Sequence, residues 1–324
     1  MLLYGGEGTL YFGSVKFFKH LITVIISLLV VVSIVTIGVL TVQNNSLKKQ
    51  IEKLNNEFLY NNRETPPPLN TPVESISPDV TETSPPEFEP VSSPYDDLFT
   101  DLYAVNYGNL TEIEYAEDTN YIYLTFDDGP SVNTNTILNY LRDYNAKATF
   151  FVVPNEDSTY LLDRIVNEGH ALGVHSYSHK YGEIYESVET YLADFYLARN
   201  LIYEQTGIYV DIYRFPGGSI NDYNEEVRDE IIEEMTRRGF VYFDWNVDSK
   251  DSQGASWDSM YRTVRKDVAE NTAKNERSII LFHDSPGSTF TTWVIDDLLV
   301  SFINDPAGYV FAKLDLNVKP LQWS

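Results

Sequence analysis

Five short clusters of polar residues stand out in this chain, and each carries groups that move protons or hold cations. Asp127-Asp128-Gly129-Pro130 sets two carboxylates side by side. His175 and His179, in His-Ser-Tyr-Ser-His, are four apart, a spacing that lets two imidazoles face one ion. Arg214 opens Arg-Phe-Pro-Gly-Gly, Asp248 and Asp251 bracket Asp-Ser-Lys-Asp, and His283 precedes Asp284. Carboxylates and imidazoles are the side chains that bind divalent metals and transfer protons. No cluster decides alone. Asp-Asp-Gly-Pro is an ordinary capped turn, and His-x-x-x-His is equally two surface histidines. Of the five histidines, His20 lies near the start, His170 precedes a strand, joins no pattern and reads as structural, and the other three fall in the clusters. Arg214 follows a buried-looking strand, a setting in which arginine pairs with a carboxylate.

The elements that must position these residues alternate strand and helix. Strands are expected at Tyr121–Phe126, Ala148–Val153, Ala171–Val174, Tyr209–Tyr213, Phe240–Phe243, Ser278–Phe282 and Tyr309–Lys313. Helices are expected at Ile137–Tyr144, Tyr160–Glu168, Glu186–Thr206, Asn224–Arg238, Trp257–Lys274 and Thr291–Ile303. Repeated βα units imply a parallel sheet with helical crossovers, either closed as a barrel or open and doubly wound. Every polar cluster follows a strand, and in a barrel the carboxyl ends of the strands share one face. That convergence is the strongest internal sign of an active site.

Composition narrows the function. The chain has 324 residues, with 23 Lys and Arg against 48 Asp and Glu, so its formal net charge is −25. Such a polyanion is repelled by phosphate backbones, which argues against a nucleic-acid partner. Cysteine is absent, which excludes disulfides, thiolate metal sites and thiol nucleophiles and leaves His, Asp and Glu to bind any metal. Nothing in the sequence points to a protein partner.

The N-terminal third reads as a tether. Residues 1–20 form a short cytoplasmic segment, and 21–42 are 22 uncharged, mostly apolar residues. At 1.5 Å per residue they reach roughly 33 Å, enough to cross a hydrocarbon core of about 30 Å. The run is longer than a signal-peptide core and lacks a small-residue cleavage site. An uncleaved anchor is therefore expected, with the C-terminal domain outside the cell membrane. Residues 43–63 carry Leu47, Ile51, Leu54 and Phe58 at helical spacing, and 64–103 form a Pro/Ser/Thr/Glu-rich linker. A globular domain over 104–324 follows.

Thr125–Pro130, His175–His179, Arg214–Gly218, Asp248–Asp251 and Ile279–His283 together resemble the five ordered motifs of the polysaccharide deacetylases, the NodB-homology enzymes of carbohydrate esterase family 4. The match runs over roughly Tyr121 to Phe311, and the tether resembles that of membrane-anchored bacterial peptidoglycan N-acetylglucosamine deacetylases. The resemblance implies a distorted (β/α) barrel and a divalent cation on Asp128, His175 and His179. That cation is Zn2+ by default, with Co2+, Mn2+ or Ni2+ as alternatives. It further implies Asp127 as general base held by Arg214, and the Gly217 N–H as oxyanion donor. Leu281 lines an acetyl-methyl pocket, and His283 is a general acid tuned by Asp248. The substrate implied is a β-1,4-linked N-acetylglucosamine polymer, peptidoglycan first; chitin oligomers, N-acetylmuramic acid or acetylated xylan are the alternatives.

Two positions depart from the family pattern. Gly217 stands where a large residue often follows the third-motif proline, and Ser252 where the fourth motif often ends in Trp. Trp245, Trp257 or Trp293 is left to supply an aromatic wall, with Trp245 taken as substrate-binding. Three rival readings are a non-haem Fe(II) oxygenase, an inactive surface glycan-binding module and a structural spacer. The first leaves Asp127, Arg214 and His283 without roles. The second should have lost the base or the acid, and the third explains only the tether.

Overall fold

The computed structural model describes residues 21, 22, 25, 92–105, 120–155 and 158–323. The chain divides into two compact units, Met1–Pro86 and Glu87–Ser324. The expected anchor over 21–42 (apart from residues 21, 22 and 25), the helix over 43–63 and the linker up to residue 91 lie outside the described residues. Among the described residues, no helix is long and apolar enough to cross a membrane.

The second unit is built on one parallel sheet. Its strands are β1 (Tyr121–Asp127), β2 (Ala148–Val152), β3 (Ala171–Val174), β4 (Ile212–Tyr213), β5 (Val241–Tyr242), β6 (Val247–Asp248), β7 (Ser278–His283) and β8 (Val310–Phe311). The order is β5-β4-β3-β2-β1-β7-β6, and β8 joins the start of β1. The helices are α1 (Val132–Asp143), α2 (Tyr160–Asn167), α3 (Tyr181–Ile184), α4 (Val188–Thr206), α5 (Arg228–Arg237), α6 (Trp257–Ala273) and α7 (Thr289–Ile303). β5 and β6 do not pair, so the sheet is a curled half-barrel where a distorted barrel was expected.

β1 is buried on both faces after its first residue, as a central parallel strand must be. Its alternation sorts side chains into two cores. Ile122, Leu124 and Phe126 face the helices in the larger core. Tyr123 joins Phe151, Ile212, Phe243 and Ile279 in a smaller core inside the curl. The chain after β8 packs there too: Leu314 is fully buried in that inner core, and Asp244 N–H bonds Leu321 O at 2.8 Å beside the unpaired edge. Local signals set the helix starts. Ser131 and Ser187 each form a capping box with the threonine three residues on, at α1 and α4. Gly207, in the left-handed region, ends α4 as the sequence predicts.

The outer strands are shorter than expected: β4, β5 and β8 are two residues each where the periodicity predicts four or five. β6 is a strand that the sequence does not announce.

The expected linker end at residue 103 is moved back. Arg238, fully buried, donates to the carbonyls of Tyr95, Leu98, Phe99 and Leu102 and to Glu234. Ser93 Oγ also donates to Glu234, at 2.8 Å, and Leu102 is fully buried. Residues 93–104 therefore belong to the globular unit, where satisfied carbonyls outweigh a linker-like composition.

Candidate active site

Register on the central strands places the reactive pair. Asp127 and His283 are direct partners across β1 and β7, and Thr125 partners Leu281 two residues earlier. A period of two points all four to the inner face. Asp127 is buried, and its Oδ1 accepts from Arg214 Nη1 at 3.0 Å. The same nitrogen reaches Thr125 Oγ1 at 2.6 Å, while Nε and Nη2 donate to the carbonyls of Phe243 and Asp244. The guanidinium lies 4.3 Å above the Phe151 ring. Arg214 is thus locked beneath the site, and it fixes one oxygen of Asp127 while leaving Oδ2 toward His175, at 3.9 Å from Nε2.

Asp128, His175 and His179 form a three-residue cluster whose nearest ligand atoms lie within 4.8 Å of one another. Asp128 Oδ1 is 3.4 Å from His175 Nε2 and 3.1 Å from His179 Nε2. His175 Nδ1 faces the Arg214 carbonyl at 2.9 Å, so this nitrogen carries the proton and Nε2 keeps its lone pair for the cluster. Asp128 Oδ1 and His179 Nε2 are buried and have no partner outside this cluster. Two imidazoles and a carboxylate converging on one buried point fit a divalent cation.

The three groups perturb one another: burial lowers His179, but the Asp128 carboxylate outweighs that and raises it. Burial pushes the Asp128 carboxyl up, but the imidazoles beside it outweigh that and hold it down at about 2. Burial drives His175 below its usual value, which favours the neutral, ligating imidazole.

The backbone under the ligands is unusual. Asp128 and His179 both have positive φ, 73° and 54°. Hydrogen bonds hold the His179 loop in its conformation. Asp194 on α4 accepts from the Ser176 hydroxyl and from the Tyr177 and Ser178 N–H groups, and Ser176 Oγ accepts from His179 N–H. Gly129 is required by space, because a Cβ there would collide with the buried Asp284 carboxylate. Burial pushes Asp284 up to about 7.

On the other side, the structure corrects one assignment. Asp248, expected to tune His283, is turned to Lys250, accepting from its N–H at 2.8 Å and from Nζ at 2.7 Å. The tuning carboxylate is Asp251. Lys250 adopts φ 62°, and the 3-10 turn Asp251–Gln253 brings the chain back over β7. Asp251 Oδ2 accepts from His283 N–H and Thr291 Oγ1, each at 2.7 Å, and Oδ1 lies 2.8 Å from His283 Nδ1. Burial lowers His283, but Asp251 more than offsets it, and the imidazolium is raised to about 9.

All remaining expected residues meet at one cavity of about 180 Å³. Gly217, Leu281 and Trp245 line it, as do Asp128, His175, His179, Asp127 and His283, with Asp248 in the wall. Trp257 and Trp293 are not among the lining residues, and Trp257 Nε1 donates to Asp297. His170 is structural as read: its Nδ1 accepts from Ala148 N–H. Tyr181, which lines the cavity, carried no sequence signal, because its importance depends on a glycine 36 residues away.

Residues 114–235 match the polysaccharide deacetylase family. The Bacillus subtilis (strain 168) protein YheN, a provisionally named polysaccharide deacetylase, is 31% identical over 62% of this chain and 69% of its own length. A peptidoglycan-N-acetylglucosamine deacetylase of Bacillus cereus is 34% identical, over 50% of this chain and 59% of that protein. Among solved structures, the catalytic domain of peptidoglycan N-acetylglucosamine deacetylase from Eubacterium rectale ATCC 33656 is similar at 32% identity and TM-score 0.59, covering 63% of this chain and 93% of that one. A Streptococcus mutans CE4 esterase aligns at 25% identity and TM-score 0.54, covering 66% and 93%. With Asp127, His283 and the His–His–Asp cluster brought to one cavity on a curled parallel sheet, and likeness of this extent, the chain belongs to the polysaccharide deacetylase family.

Proposed function

We propose that this protein is a metal-dependent hydrolase that removes N-acetyl groups from a β-1,4-linked N-acetylglucosamine polymer, with peptidoglycan as substrate, while residues 21–42 hold it at the outer face of the cell membrane. One observation carries the reading. A carboxylate fixed by a buried arginine and an imidazolium fixed by a buried carboxylate sit on adjacent strands, beside a His–His–Asp cluster. The names of the relatives support peptidoglycan as the substrate.

Amides resist hydrolysis because the carbonyl is a weak electrophile and the amine a poor leaving group. A divalent cation on Asp128, His175 and His179 supplies Lewis-acid polarisation and acidifies water when bound. Asp127 takes the proton of the attacking water through Oδ2, since Oδ1 is held by Arg214. The Gly217 N–H donates to the developing oxyanion, a contact of a kind typically worth about 10²–10³ in rate. His283, protonated up to about pH 9 by Asp251, gives its proton to the departing nitrogen. Leu281 walls the cavity where the acetyl methyl rests. The C–N bond breaks, and acetate and the free amine leave.

Acetate release from purified peptidoglycan tests the reading, with mass spectrometry of the digested muropeptides to identify the sugar that loses the group. Activity should vanish with chelator and return with Zn2+, Co2+, Mn2+ or Ni2+. Asp127→Asn should retain metal and lose about 10²–10⁴-fold in turnover. Full turnover in that variant overturns the assignment of the base.

A further inference from the structure

One rim of the cavity is aromatic. Tyr181, in α3 just after the ligand loop, lines the cavity and is half-buried. Its ring stands edge-on to His179, with centroids 5.2 Å apart, and to Tyr223 at 5.3 Å and 81°. Gly217 explains why it can stand there. A Cβ on Gly217 would lie 3.2 Å from the Tyr181 ring and 3.3 Å from its hydroxyl, at a φ of +79°. Tyr181 therefore fills the space that a side chain at 217 would enter. The loop beneath is held firmly: Tyr185 OH donates to Pro216 O at 2.8 Å, and Asn221 Nδ2 donates to the carbonyls of Pro216 and Gly218. Asn221 Oδ1 also accepts from Tyr223 N–H at 2.8 Å, which anchors that residue's backbone. Tyr223 is 59% exposed, so its ring serves no core.

We propose that Tyr181 and Tyr223 form the seat for a second sugar ring, next to the one whose acetyl group enters the cavity. This inference rests on the deacetylase reading above. A cavity of about 180 Å³ lined by charged groups takes the acetamido end of a polymer, and the neighbouring residue must cross the rim. A β-linked hexosamine has an apolar C–H face that matches an exposed aromatic ring, and Tyr offers a large contact with a polar tip. The ligand class is a β-linked N-acetylated hexosamine chain of at least two rings. Its second ring lies on Tyr223 and reaches the Tyr181 hydroxyl.

The test uses the full-length chain with N-acetylated chito-oligosaccharides of two and four rings. Tyr223→Ala should raise KM on the tetrasaccharide about tenfold while kcat changes far less, the pattern of lost uniform binding. Tyr223→Trp should restore KM, and Tyr181→Phe should raise it about threefold. Tyr203→Ala, which removes an exposed ring stacked on Tyr209 away from the cavity, is the control and should keep the wild-type KM. Calorimetric titration of the tetrasaccharide into Asp127→Asn protein, with and without Tyr223→Ala, gives a readout independent of turnover. Affinity that falls about tenfold supports the seat even if the wild type releases no acetate, a result that sinks only the deacetylase reading. Unchanged KM and unchanged affinity in Tyr223→Ala overturn the seat and leave that reading intact.

Discussion

Arg214 and Arg238 are the two largest fully buried side chains among the described residues, and they do different work. Arg238 gives its N–H groups to four carbonyls of residues 95–102 and to Glu234, so every partner is structural. Arg214 also binds two carbonyls, but its remaining donor ends on Thr125 and Asp127, and Asp127 borders the cavity. Burial does not separate a stabilising arginine from one that serves chemistry. What separates them is whether the chain of partners reaches a space that substrate can enter.

Paired substitutions break that comparison most directly. Arg214→Ala leaves Asp127 buried without its cation, so stability should fall by about 3–5 kcal/mol and turnover by about 10²–10⁴-fold. Arg238→Ala should cost a similar stability while the folded fraction keeps its turnover. Urea unfolding together with kcat measured where both variants are folded checks this, and loss of turnover in folded Arg238→Ala would erase the distinction.

Asp251 and Asp248 repeat the contrast on a smaller scale, one carboxylate bound to the acid and the other to a lysine. Asp251→Asn removes the charge that keeps His283 at about 9, so the alkaline limb of kcat should move down by about 1–3 pH units. The stability sign follows from the same shift. A folded-state pKa above the unfolded value of about 6.5 contributes stability below that pH and loses it as pH rises through 9. The wild type should therefore weaken between those values, and Asp251→Asn should do so less. A pH series of kcat and of the urea midpoint reads both.

Gly217→Ala sharpens the picture of the rim. A methyl at φ +79° and 3.2 Å from Tyr181 should cost about 1 kcal/mol and raise KM severalfold with a smaller change in kcat. Unchanged KM would mean that Tyr181 yields freely. Asp248→Asn should do least: its partner Lys250 is half exposed, so stability should change by less than about 1 kcal/mol, and the alkaline limb should stay in place. A limb that moves as far as in Asp251→Asn would return the tuning role to Asp248.

Much of the site is legible in the sequence because strand ends announce themselves. Asp-Asp-Gly-Pro, His-Ser-Tyr-Ser-His and Arg-Phe-Pro-Gly-Gly are turn-forming runs after apolar stretches, and a parallel sheet brings such ends to one face. The choice between Asp248 and Asp251 is not legible, because it depends on Lys250 taking a left-handed conformation that its side chain does not favour. Tyr181 is hidden for a related reason: its place is defined by the absence of a side chain at Gly217. The docking of residues 93–104 is equally silent, since their carbonyls are bound by Arg238, far along the chain, and carbonyls have no letter in a sequence. Strand lengths were overestimated at β4 and β5, where the inner space is filled by the segment after β8 instead of by a closed sheet.

The left-handed backbones of Asp128 and His179 have a practical consequence. Asp194 and Ser176 hold the His179 loop through hydrogen bonds, and Gly129 packs against Asp284 next to Asp128. The shape of this corner of the cavity is therefore written into contacts made by other side chains, so Asp194→Ala should disturb it while every candidate ligand residue is kept.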